Sequence, residues 1–256
     1  MESALEEPED SEQLRRGARA EEVAEWFFRL NGFFLIPGFI VHHDYEQPYP
    51  RTEADLLGIR LKHSAEGFHS RSERADEAKS YKSMTDHGQL IEAGKDGTVP
   101  KHLIAMVEVK AGLAKINGPW SDERSGNMAR ALRRVGFGNR QETDNAADAM
   151  YKSLRYVGRD FVVQYYSVCG FRNDELSSRY PDLIQITFEE IASFLRDRFA
   201  NFPQKIPQNA SCTMWQGFGY DFMRWFEQAS WGKERTPSAA RCFTALRGYI
   251  DRGVVS

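Results

Sequence analysis

Leu103-Ile104-Ala105-Met106-Val107-Glu108-Val109-Lys110 is the stretch that decides the fold. It is apolar and partly β-branched until it meets two opposite charges, and it reads as a strand. Residues i and i+2 of a strand point to the same side, so Glu108 and Lys110 project together from a segment that otherwise seeks burial. Charges at the end of a buried strand are costly, and such exceptions concentrate at functional sites. The structural reading is a strand-edge ion pair, worth little to stability.

Upstream, Ala54 to Leu61 is a second strand candidate, and Phe33 to Val41 is a β-rich run broken by Pro37-Gly38. Ahead of these, Arg19 to Asn31 has the period of a helix. Ala20, Val23, Ala24, Phe27, Phe28 and Leu30 share one side, Glu22, Glu25 and Arg29 the other, and Glu21 sits at the boundary. Gly32 supplies the C-terminal stop. Residues 62–101 turn polar and lose periodicity, with a short helix expected near Arg74 to Lys82. An excursion this long is either a functional flap or a flexible segment.

Downstream, Ala111 to Trp120 reads as irregular, followed by helices at Asn127 to Val135 and Asn145 to Tyr156. Phe161 to Val168 and Leu183 to Ile186 read as strands. Thr187-Phe188-Glu189-Glu190 has capping-box spacing and opens a helix whose Phe188, Ile191, Ala192, Leu195 and Phe199 share a face. Trp215 to Phe226 and Ala239 to Ile250 read as helices. The alternation points to a mixed α/β domain over residues 17–200, preceded by a tail at 1–16 and followed by a helical extension at 201–256.

The chain has 256 residues, 41% of them hydrophobic and 12% aromatic, enough for one large domain with an appended piece. No apolar run reaches the roughly 18 residues of a membrane span. Met1 to Glu12 holds six acids and no base, which reads as a solvated, disordered tail. Without those acids the net charge of -3 becomes mildly positive, which permits a nucleic-acid partner without requiring one. Cys169, Cys212 and Cys242 form no C-x-x-C pair, so free thiols in a reducing cytoplasm are the simple reading.

Asp55, inside Thr52-Glu53-Ala54-Asp55-Leu56-Leu57, is a second acid beside apolar neighbours. If its strand pairs with the one carrying Glu108, two carboxylates and a backbone carbonyl can converge on a hard divalent cation, with Lys110 beside it. That combination suits phosphodiester hydrolysis, the lysine orienting a water or stabilising developing charge.

With Asp55 on one strand and Glu108-Val109-Lys110 on another, the chain resembles the PD-(D/E)XK nuclease superfamily, the restriction-endonuclease-like fold. Gly17 to Phe33, with Glu21 ahead of aromatics and Gly32-Phe33, is similar to the opening helix of its Holliday-junction-resolvase-like branch. Glu53-Ala54-Asp55-Leu56-Leu57 also looks like that branch's E-x-D strand. The chain departs from the pattern in the 62–101 insert and in lacking a clear Gln-x-x-x-Tyr element.

The resemblance implies an α/β fold with a mixed central sheet flanked by helices. It implies a Mg2+-dependent endonuclease acting on DNA, with Mn2+ able to substitute. Asp55, Glu108 and the Val109 carbonyl would hold the metal, Lys110 would activate water or stabilise charge, and Glu21 would assist through the metal's hydration shell. RNA remains open as a substrate, and a homodimer is allowed. The alternative is a non-catalytic nucleic-acid-binding or adaptor subunit that keeps the fold.

Structural readings compete at each position. Glu21 could be a first-turn acid favoured by the helix dipole, and Asp55 could cap a turn. Glu53 reads as supporting or solvent-facing, and His42-His43 lacks further ligands at zinc spacing. Arg130, Arg133 and Arg134 could face phosphates or solvent. Trp215, Tyr220, Phe222, Trp225 and Phe226 suit a core better than base stacking.

Overall fold

The computed structural model describes residues 9–42, 50–64, 67–69, 81–83, 87–201, 217–230 and 236–256. It opens with helix α1 (Glu9–Leu30), then strands β1 (Phe34–His42), β2 (Pro50–Arg60), β3 (Gly67–His69) and β4 (Tyr81–Ser83). Helix α2 (Gly88–Ala93), the short hairpin β5 (Lys95–Asp96) and β6 (Val99–Pro100), and strand β7 (His102–Leu113) follow. Next come α3 (Gly118–Ser121), a 3-10 turn, α4 (Asn127–Val135), α5 (Arg140–Ser153), β8 (Arg155–Val157) and β9 (Phe161–Phe171). The described chain closes with α6 (Asp174–Arg179), β10 (Ile184–Thr187), α7 (Phe188–Asn201), α8 (Gly217–Ser230) and α9 (Ala239–Arg252). No described helix is long and apolar enough to cross a membrane.

The main sheet has six strands in the order β1-β2-β7-β9-β10, with β8 also paired to β9. β1 and β2 are antiparallel, as are β8 and β9, while β10 runs parallel to β9, so the sheet is mixed and the α/β class holds. β9 is buried without a break from Phe161 to Cys169, and β7 from Leu103 to Val109. Predominantly apolar strands buried over such a length suit interior positions covered on both faces, with Glu108, Gln164 and Ser167 as buried polar exceptions.

Contacts divide the chain into two compact units, one of residues 1–27, 107–117 and 166–256, the other of residues 28–106 and 118–165. In the first, Phe27 of α1 meets Phe194 of α7 edge to face at 5.2 Å. The Phe218 ring of α8 packs 5.0 Å from Tyr249 of α9, and Phe226 packs 5.6 Å from Phe199. Phe188, Ile191, Ala192, Leu195 and Phe199 are all buried, as the shared helix face requires. In the second unit, Phe28 meets Phe33 at 5.1 Å, and Leu56, Leu103, Met106, Trp120 and Leu132 fill the interior. Arg155 ties part of the insert down, donating to Ala93 O at 3.2 Å, Lys95 O at 3.1 Å and Gln164 Oε1 at 2.8 Å.

Several boundaries differ from the sequence reading. α1 begins at Glu9, well before Arg19, so residues 9–16 extend the helix rather than the tail. Its early turns are held from outside: Arg16 pairs with Asp251 at 2.9 Å, and Arg19 donates to Ile250 O at 2.8 Å. Hydrophobic period alone carries no such signal. Pro37 does not break β1. It lies opposite Leu56 on a terminal strand of the sheet, where a missing N–H is tolerated.

β7 continues past Lys110 to Leu113, and Ala114 N donates to Phe171 O at 2.9 Å. α5 starts at Arg140 instead of Asn145 because Asn139 and Glu142 form a reciprocal capping box, and it ends at Ser153 before strand β8. Tyr81–Ser83 is a strand where the end of a short helix was expected; the rest of that expected helix lies outside the described residues, as do residues 1–8 of the tail. The Thr187 box does form: Glu190 N donates to Thr187 Oγ1 at 3.2 Å and Thr187 N to Glu190 Oε2 at 2.8 Å.

Candidate active site

Strand alternation predicts that Glu108 and Lys110 meet, and they do. Lys110 Nζ lies 2.6 Å from Glu108 Oε1. The glutamate side chain is only 2% exposed and the lysine 38%, so the acid is taken from water while its cation reaches solvent. A carboxylate this buried needs close partners, because the desolvation penalty otherwise neutralises it. Its strand is buried on both faces up to Val109 and opens at Lys110, which fixes where the pair can meet water.

Lys110 opens onto a groove of about 920 Å³ within the first unit, between α1, the C-terminal end of β7 and the end of α9. Glu21 lines it from α1, Val109 lines it from β7, and both stand with Lys110. Arg16, Lys110 and Lys115 bring cations to the groove, while Glu12, Glu21 and Asp251 bring acids, so the lining carries nearly balanced charge. Asp55 is placed in the other unit, half-buried on β2, the neighbour of β7 in the strand order. Three of the five expected positions therefore share one groove, and a fourth, Glu108, is ion-paired to Lys110.

Among the described residues, no group of three or more His, Cys, Asp or Glu side chains could hold a metal ion. The expected donors are two carboxylates and a main-chain carbonyl, an all-oxygen set. Mg2+ commonly takes one or two carboxylates and completes its shell with water and substrate phosphate, so this chemistry fits the ion.

Other expectations resolve individually. Glu53 is exposed, and its carbonyl accepts from the Trp120 indole at 2.9 Å, a supporting position. Arg133 pairs with Asp144, and Arg134 donates to Ile40 O at 2.7 Å while lying 5.0 Å over the Phe39 ring. Phe222 and Phe226 are buried core residues, whereas Trp215, His43 and Cys212 lie outside the described residues. Cys169 and Cys242 are free and buried.

The helix period missed two features. Glu22, assigned to the solvent side, accepts from Phe218 N at 2.8 Å and from the Tyr249 hydroxyl. Arg16, Gly17 and Gln13 line the groove with Glu21. Gln13, Gly17 and Glu21 recur every fourth residue on one helix face, a signal hidden by starting the helix too late. Asp251 and Lys115 had no local signal at all. No family model, curated protein or solved structure matches the chain.

Proposed function

We propose that the protein is a Mg2+-dependent phosphodiesterase that cleaves DNA, with Asp55, Glu108 and the Val109 carbonyl holding the metal. The supporting observation is the Glu108–Lys110 pair, a carboxylate nearly closed to solvent whose cation opens onto a groove shared with Glu21. When bound, the metal would neutralise a phosphodiester oxygen and make a water more acidic. Lys110, ion-paired to the Glu108 carboxylate, would present its ammonium where negative charge develops on the phosphoryl oxygens. Glu21 lines the same groove and would assist through the metal's hydration shell. The reading extends to a homodimer, which sedimentation tests.

A cleavage panel of linear, nicked, branched and single-stranded DNA, with matched RNA, tests the assignment in Mg2+ and Mn2+. Removing a group that stabilises transition-state charge costs about 10²-fold or more in rate, and Asp55→Ala and Lys110→Ala should each show a loss of that order. Cleavage that survives Lys110→Ala would overturn the site. Nucleic-acid binding with no cleavage in either metal would favour a non-catalytic binding subunit instead.

A further inference from the structure

Arg16 lines the groove with its Nε 2.9 Å from Asp251 Oδ1. The contact is close but misdirected. Both atoms are shielded from solvent, and neither makes a hydrogen bond among the described residues. A shielded donor left without an acceptor is costly, and the arginine fork matches phosphate geometry. Asp251 is also shared, since Arg247 Nη2 lies 3.5 Å from its Oδ2. Lys115, exposed just beyond β7, brings a further cation to the groove. Its main chain is fixed by the Ser167 hydroxyl, which donates to Lys115 O at 3.4 Å.

The walls between these charges are open. Gly17 and Gly112 both line the groove, and a Cβ added to either would meet nothing within 4 Å. Glycines in such positions let another backbone approach closely. No aromatic side chain lines the groove among the described residues. A stacking platform for bases is therefore missing, and recognition falls on phosphate and sugar.

We propose that Arg16 and Lys115 form a phosphate subsite beside Lys110, held shut by Asp251 until a phosphodiester backbone displaces it. The strand lies against the main chain at Gly17 and Gly112 and is read without regard to base sequence. The identity of the ligand rests on the nuclease reading above; the demand for a phosphate-like anion rests on the groove itself. Both an unpaired strand and one edge of a duplex carry that chemistry.

The test is fluorescence anisotropy of the full chain with labelled single-stranded and duplex oligonucleotides, in EDTA, across a salt series. Asp251→Asn should tighten binding severalfold. Arg16→Gln and Lys115→Gln should each weaken binding and flatten the log–log salt slope, by about 0.7 for a single strand or about 0.9 for a duplex. The preferred substrate is the one showing these changes. Gly17→Leu should fill the groove and weaken binding without lowering Tm, since leucine is the better helix former.

Changing the base sequence should leave the affinity as it is. Wild-type binding with slopes unmoved by Arg16→Gln and Lys115→Gln would overturn the subsite while leaving the nuclease reading intact. The expected slopes without cleavage in Mg2+ would support the subsite and remove the nuclease reading. No binding to either oligonucleotide would overturn both.

Discussion

The Glu22 carboxylate accepts a hydrogen bond from the Phe218 main-chain N–H at 2.8 Å, across 196 residues of sequence. A second hydrogen bond comes to it from the Tyr249 hydroxyl. One side chain of α1 thus fastens the start of α8, where an anion meets the positive end of the helix dipole, and also holds α9. Glu22→Ala should cost about 1–3 kcal/mol, because it strands partly buried donors. Gly217→Ala should destabilise too: its φ is +58, and an added Cβ would collide with Glu22 Oε1. Urea midpoints check both, and an unmoved midpoint for Glu22→Ala would deny the clasp.

Asp221 lies one turn into α8, and partial burial, then the nearby Glu22 carboxylate, hold its carboxyl above the ordinary value of 3.8. A raised folded value means the fold binds this proton more tightly than the unfolded chain. The associated stability is fully present below the unfolded value and is lost as pH rises through the folded one. Asp221→Asn should remove that loss. Relative to wild type, the variant should therefore be more stable at pH 7 than at pH 4, read as the difference between urea midpoints.

Burial pushes the Cys169 thiol up to about 12 and the Cys242 thiol up to about 11, with neighbouring arginines only partly opposing it. The thiolate is the reactive form. Both residues should resist iodoacetamide at pH 8 in the folded protein and react once urea unfolds it, as peptide mapping would show. Rapid native labelling of either peptide would contradict their closed environment.

Lys110→Ala would leave the Glu108 carboxylate without its cation at 2.6 Å, at a cost of about 1–3 kcal/mol. Replacing both partners, Glu108→Gln with Lys110→Met, should restore much of that loss, because apolar or neutral packing can match a buried ion pair. Lys110→Arg should keep the fold. Thermal unfolding separates the three variants, and equal stability of Lys110→Ala and wild type would mean that the pair carries no structural weight.

Much of the fold was legible because its signals are local. The unbroken apolar run at 103–107 marked a strand that seeks burial, and Thr187 with Glu190 marked a helix start, since a capping box needs only four consecutive residues. The face shared by Phe188, Ile191, Leu195 and Phe199 followed from period alone. The start of α5 was misplaced although Asn139 and Glu142 carry the same kind of box, which the hydrophobic pattern around it obscured. Pro37 misled for a different reason: whether it breaks a strand depends on whether that strand lies at the end of the sheet, a property of the whole topology.

The Glu108–Lys110 pair was legible by itself, because two residues on one strand share a side whatever surrounds them. The groove that gives the pair its setting was not. Arg16 finds Asp251, and Glu22 finds Phe218, only after the C-terminal helices fold back against α1. Sequence by itself therefore determined the strand, the helix faces and the acid–base pair, which arise from interactions within a few residues. Tertiary structure alone decided which charges line the groove and which acid became a clasp, because those depend on packing between segments distant in sequence, more than 190 residues apart for the clasp.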